Sequence, residues 1–174
     1  GLTSFTVPAS LTALPDAFFY ECTALESVAL PDTLVSIGEG AFTGCTALRT
    51  IELPASLETI SPAAFAKSGL VSLTLPEGFA EVPDNLCFEC ASLETLTLPG
   101  SLVSVGAQAF YGCAALRTLE LPGALRTIAA NAFSACTGLT TVELPALLTE
   151  LDRDAFGQND ALVFLVYPSS VGLD

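Results

Sequence analysis

Apolar positions recur along this chain at a nearly constant interval. Leu2, Leu25, Leu48, Leu70, Leu93, Leu116, Leu139 and Leu162 lie 23, 23, 22, 23, 23, 23 and 23 residues apart. A proline stands six residues after each of them: Pro8, Pro31, Pro54, Pro76, Pro99, Pro122, Pro145 and Pro168, which is eight of the chain's eleven prolines. The unit reads L-x-x-[ILV]-x-[LV]-P-x-x-L-x-x-[ILV]-x-x-x-A-F-x-x-C-x-x, as in LRTIELPASLETISPAAF from Leu48. Self-similarity at such a period marks a stack of supersecondary units, each unable to bury its apolar face alone.

Two patterns coexist within a unit. The opening segment, for example Leu116, Leu119 and Leu121, ends in alternation, which predicts a short strand with one buried face. Proline then ends the strand, since it cannot donate to a ladder. In the second half, Leu125, Ile128, Ala132, Phe133 and Cys136 follow at short helix-like intervals, which predicts a turn and a short helical or 3₁₀ stretch on the opposite side. Stacking such units gives parallel rungs about 4.8 Å apart. Residues 1–174 therefore read as one domain of about seven rungs, starting at Leu2, Leu25, Leu48, Leu70, Leu93, Leu116 and Leu139, with a terminal strand from Leu162.

The motif LPxxLxxIxxxAFxxCxxL resembles the treponemal-type, or BspA-like, leucine-rich repeat class, and the resemblance runs over essentially the whole chain. It implies an α/β-type repeat solenoid: a right-handed leucine-rich repeat superhelix with a parallel β-sheet on the concave face and short turn or helical segments on the convex face. It also implies a bacterial or protozoan surface or secreted protein, non-enzymatic, of the kind implicated in adhesion to host or matrix proteins. The chain has no Met and starts at Gly1 inside the pattern, so a piece of a longer protein is expected.

Charge narrows the partners. The net charge is −14, from 19 acids against 5 bases. Such a surface repels phosphate backbones and anionic lipid, so neither nucleic acid nor membrane insertion is expected, and a monomer is. Acidity also keeps a chain that is 51% hydrophobic in solution.

Candidate chemistry is sparse. With no His, Ser-His and Cys-His arrangements cannot form. No GxGxxG or Walker A motif is present, and Asp152 and Asp154 lie on a loop with no pocket implied. No catalytic residue, cofactor site or metal site is assigned. Five of the six cysteines, Cys22, Cys45, Cys90, Cys113 and Cys136, share one repeat column, with Ser68 and Asn159 in the same column. Their rung spacing exceeds the Cβ separation of about 3.8 Å that a disulfide prefers, so free buried thiols are expected. Cys87 and Cys90 form a CxxC in which both residues fall on core positions, leaving core, local disulfide and redox or metal readings open. Cys87 replaces a Phe in the column Phe19, Phe42, Phe65, Phe110, Phe133 and Phe156, while Phe79 replaces a Leu, which suggests an exchange of volume within rung four.

The outward positions of the first strand are the candidate binding face. Thr50, Ser72, Thr95, Thr118, Thr141 and Phe164 form one column, and Glu52, Thr74, Thr97, Glu120 and Glu143 another. Hydroxyls suit a pleated surface and can bond between strands, so the same columns fit a purely structural role. Glu120 and Glu143 fall on adjacent rungs about 4.8 Å apart, near Arg117, which invites a cation or a basic ligand. Phe164, Val166 and Tyr167 turn the last rung apolar, as a junction or an interaction patch. Tyr20, Phe88 and Tyr111 share the column after the Phe spine and suit packing or sugar stacking. The expected function is protein binding on the concave sheet, with a structural spacer or a glycan-binding module as alternatives.

Overall fold

The computed structural model describes the backbone of residues 1–166 and the side chains of residues 1–163; Tyr167 and Pro168 lie outside the described residues. The chain forms a β-solenoid of parallel rungs, and every strand pairing recorded is parallel. The first ladder is built from Ser4–Thr6, Ser27–Ala29, Ser72–Thr74, Thr95–Thr97, Thr118–Leu119, Thr141–Glu143 and Val163–Val166. The head leucines from Leu25 to Leu139 are fully buried, and so are the central strand residues Leu73 and Val142. Their neighbours on either side face outward, as period-two alternation demands.

The second half of each unit is not helical. Among the described residues there is no helix; a second ladder of two-residue strands stands there instead. It consists of Ala13–Leu14, Ser36–Ile37, Thr59–Ile60, Glu81–Val82, Ser104–Val105, Thr127–Ile128 and Glu150–Leu151. Its inward residues are Leu, Ile or Val, and most outward ones are Ser, Thr or Glu, with β-branched residues suited to a pleat. The A-F-x-x-C segment that follows is a run of turns. Alternate amides leave the rung: Gly40, Phe42 and Gly44 donate to the carbonyls of Pro62, Ala64 and Ala66 at 3.1, 2.7 and 2.9 Å. Left-handed residues break any helical path there, Gly40 and Gly44 in rung two and Ala63 and Lys67 at φ 56° in rung three. Consecutive turns of three to four residues reproduce helix-like spacing without a helix.

Inside the turn segment the phenylalanines stack along the axis. Phe19–Phe42 and Phe42–Phe65 have centroids 5.2 and 5.4 Å apart, and Phe110–Phe133 and Phe133–Phe156 both 5.3 Å. Such contacts add directional stabilisation to a large burial of apolar area. Cys87, fully buried, interrupts the stack, and Phe79 of the same rung is also in the core.

The interval of 22 residues has a physical origin. Rung three closes with Ser68-Gly69-Leu70 where its neighbour has Cys45-Thr46-Ala47-Leu48. A Cβ on Gly69 would lie 2.1 Å from the Thr46 carbonyl oxygen, so only glycine can cut this corner. Rungs three and four then part on the second ladder, while on the first the Val71 amide still donates to the Arg49 carbonyl at 2.8 Å. Thr50–Glu52 form no strand, and the second ladder divides between Thr59–Ile60 and Glu81–Val82. At the five other junctions, Gly38, Ser61, Gly106, Ala129 and Asp152 donate to the inward residue of the preceding rung at 2.9–3.0 Å. Pro83 occupies this position in rung four and has no N–H to give. The turn segment still joins the two rungs, through Ala63, Phe65 and Lys67 to the carbonyls of Asp84, Leu86 and Phe88.

Candidate functional site: the strand face

The first ladder presents its outward residues side by side. Ser72 pairs with Thr95 and Thr74 with Thr97 across two rungs, and Thr118 with Thr141 across two others. Thr50, Glu52, Thr74, Thr95, Thr97, Thr118, Glu120, Thr141 and Glu143 are exposed, and Ser72 is half-buried. Phe164 pairs with Val142, one residue out of step with the hydroxyl column, and the register shift at Val142/Glu143 then brings Val166 opposite Glu143. The Phe164 side chain lies outside the described residues.

Hydroxyls on this face, like Ser36, Thr59, Ser104 and Thr127 on the second ladder, differ from several that bind a neighbouring rung. Away from the face, Thr33, Thr43, Ser56, Ser101 and Ser134 donate to backbone carbonyls of a neighbouring rung, at 2.8, 2.8, 2.7, 2.9 and 2.5 Å. Among the described residues no such side-chain bond engages Ser72, Thr74, Thr95, Thr97, Thr118 or Thr141. Their donors and acceptors are free for solvent or a partner. Interruptions of the ladder leave shallow depressions between them. One of about 460 Å³ is bordered by Thr50, Glu52, Ser72 and Thr74. A second, of about 240 Å³, is bordered by Thr95, Thr97, Thr118 and Glu120.

Glu120 and Glu143 border a third depression of about 490 Å³ with Thr118 and Thr141. Strand pairing stops at Leu119↔Val142, so Glu120 itself is outside the ladder. Arg117 forms neither of the two ion pairs among the described residues, which are Lys67–Glu89 at 3.6 Å and Arg153–Asp154 at 3.5 Å. The carboxylates of the face are therefore not neutralised by the chain's own bases.

All six cysteines are free, five buried and Cys22 half-buried. Most members of the column cap the turn of the preceding rung. Cys45, Cys90 and Cys136 donate Sγ–H to the carbonyls of Phe19, Phe65 and Phe110 at 3.1, 3.0 and 3.1 Å. Asn159 does the same for Phe133 at 2.8 Å. Burial, with Cys22 adding to it, pushes the Cys45 thiol up to about 11. The Cys87 thiol is held well above its ordinary range by burial. Cys113 is raised likewise, by its hydrogen bond to Cys136 and then by burial. Thiols kept protonated in this way are poor nucleophiles at neutral pH. Among the described residues no group of three or more His, Cys, Asp or Glu side chains is placed to hold a metal ion.

Asp152 and Asp154 form a local turn, Asp152 Oδ1 accepting from the Asp154 amide at 2.9 Å. Phe88 and Tyr111 stack at 5.3 Å, with the Lys67 ammonium 6.0 Å from the Phe88 ring, while Tyr20 stands exposed three rungs away. Only Phe88 and Tyr111 pack on one another, so the three do not form one continuous aromatic platform.

The family model for the BspA type leucine rich repeat region matches residues 1–100 and 59–172, in six copies. The chain belongs to the BspA-type leucine-rich repeat family. Its parallel solenoid is the fold of bacterial relatives. A leucine-rich repeat protein from Eubacterium ventriosum superposes with a TM-score of 0.84 at 24% identity, over 99% of this chain and 46% of that one. The leucine-rich repeat protein of T. pallidum gives 0.75 at 28%, over 94% and 71%. A leucine rich cell surface protein from Faecalibacterium prausnitzii gives 0.61 at 28%, over 98% and 55%. This BspA-type chain thus spans about half the length of the first of these relatives. No curated protein matches it in sequence. No helix among the described residues is long and apolar enough to cross a membrane.

Proposed function

We propose that this BspA-type chain is a non-enzymatic recognition module, surface-exposed or secreted, that binds a protein partner on the face formed by Thr50, Glu52, Ser72, Thr74, Thr95, Thr97, Thr118, Glu120, Thr141 and Glu143. One observation carries the reading. Thr33, Thr43, Ser56, Ser101 and Ser134 spend their hydroxyls on the backbone of neighbouring rungs, whereas those of this face are unspent and run in two adjoining columns interleaved with exposed carboxylates. Extended surfaces of this kind suit macromolecules better than small ligands. Uncommitted hydroxyls supply both donors and acceptors, and the carboxylates favour a basic partner. The cell-surface relative from Faecalibacterium prausnitzii supports the localisation.

A pull-down from extracellular-matrix and secreted proteins tests this, comparing the wild type with Thr95→Lys, Thr97→Lys, Thr118→Lys and Glu120→Lys combined. The expected result is capture of a protein by the wild type and its loss in the variant. Capture that survives the four changes removes the face from the account. Absence of any binder favours a spacer, and capture abolished by glycosidase treatment favours a glycan ligand.

A further inference from the structure

Where rungs three and four part, a further recess lies on the second ladder, away from the strand face. It has a volume of about 370 Å³ and is bordered by Glu58, Thr59, Ile60, Phe79, Glu81 and Pro83 among others. Its floor is apolar, since Ile60 and Phe79 are buried. Its rim carries two exposed carboxylates on adjacent rungs, Glu58 and Glu81.

Its backbone is unusually rich in unmet acceptors. At the other junctions the carbonyl equivalent to Glu58 O accepts from the rung above, as Thr12, Val35, Ala80, Val103 and Arg126 do at 2.7–2.9 Å. Across the break no backbone hydrogen bond reaches the carbonyls of Glu58 or Ile60 from rung four among the described residues, Pro83 having no N–H. Exposed acceptors must then be met by water or by a ligand. Neither charge at the rim takes part in either of the ion pairs among the described residues.

We infer that this slot receives an arginine side chain of a partner protein. The complementarity is specific to that group. An apolar floor takes the methylene stem, and a planar guanidinium with five N–H donors suits a slot that offers two carboxylates and unmet backbone carbonyls. Two carboxylates and a net charge of −14 attract the cation, and the recess partly desolvates it. The site shares no residue with the strand face, so the two can fail separately.

The test titrates the ¹⁵N-labelled chain with acetyl-Gly-Arg-Gly-amide, the matching lysine and citrulline peptides, and calcium chloride. The arginine peptide is expected to shift the amides of Ile60, Gly78, Ala80 and Glu81 most, with the citrulline peptide inert and lysine weaker. Glu58→Gln with Glu81→Gln is expected to weaken binding about tenfold, as two exposed ion pairs of modest strength would, with the rest of the spectrum unchanged. Glu26→Gln with Glu94→Gln, remote from the slot, is expected to leave it as it was. Shifts scattered over every acidic surface, a lysine peptide that binds equally, or indifference to the double substitution would each overturn the assignment. So would the same amides responding to calcium and not to arginine.

Discussion

Replacing Gly69 by alanine isolates the feature that makes rung three one residue short. The added methyl would stand 2.1 Å from the Thr46 carbonyl oxygen, 2.8 Å from its carbon and 3.3 Å from the Leu48 oxygen. All three atoms are backbone, so no side chain can swing aside, and the contact falls roughly 1 Å inside van der Waals distance. Overpacking of this kind costs about 1–3 kcal/mol. The entropic gain of Gly→Ala in the unfolded chain offsets only about 0.4–1 kcal/mol of it. For a chain of this size a net loss near 1–2 kcal/mol lowers Tm by about 2–8 °C. Urea and thermal denaturation followed by circular dichroism would measure it. Gly100→Ala is the control: nothing lies within 4 Å of its Cβ, so it is expected to be neutral or slightly stabilising. Equal stability of the two variants would refute the steric account of the short rung.

Three further outcomes follow from the same geometry. Cys45 is fully buried and its thiol is raised from 9.0 to about 11, chiefly by burial. A folded value above the unfolded one means that its contribution is complete below pH 9 and is lost as pH rises towards 11, roughly 3 kcal/mol in all. Urea midpoints between pH 8 and 11 should therefore fall more steeply for the wild type than for Cys45→Ser; parallel curves would contradict this. Ala63 holds φ 56° where the neighbouring rung has Gly40 at φ 60°. Ala63→Gly is expected to stabilise by about 0.5–1 kcal/mol, because the left-handed penalty of alanine exceeds the entropic cost of glycine there; a lower urea midpoint would sink the idea. Cys87→Phe should destabilise by about 1–3 kcal/mol through overpacking, since Phe79 already fills rung four. A clear rise in melting temperature would show a vacancy in the Phe stack instead.

The strand face was legible because alternation in a strand translates directly into inside and outside: Thr95, Leu96 and Thr97 read as out, in and out, and so they lie. The stacked rungs and the Phe column were legible for the same reason, a repeat that returns each residue to one place. The second half of the unit was misread as helical because spacings such as Ile128 to Ala132 are shared by helices and by successive turns. What separates them is the left-handed backbone at positions such as Ala17, Glu21 and Ala63, and none of those residue types announces it. The ladder break has its cause in Pro83, yet a proline outside the repeat column does not show from sequence which ladder bond it removes. Which hydroxyls are spent and which are free depends on the lateral fit of neighbouring rungs, which Ser and Thr as letters do not encode. The shift of register before Val166 likewise arises from a local bulge, not from the 23-residue period.

Recognition on the strand face is tested most directly by hydrogen exchange of the chain alone and in complex with whichever protein it captures. Slowed exchange on binding is predicted for residues 50–53, 72–76, 95–98 and 118–121, with the A-F-x-x-C turns unaffected. Protection confined to those turns or to the second ladder, with the strand face exchanging as in the free chain, would contradict it.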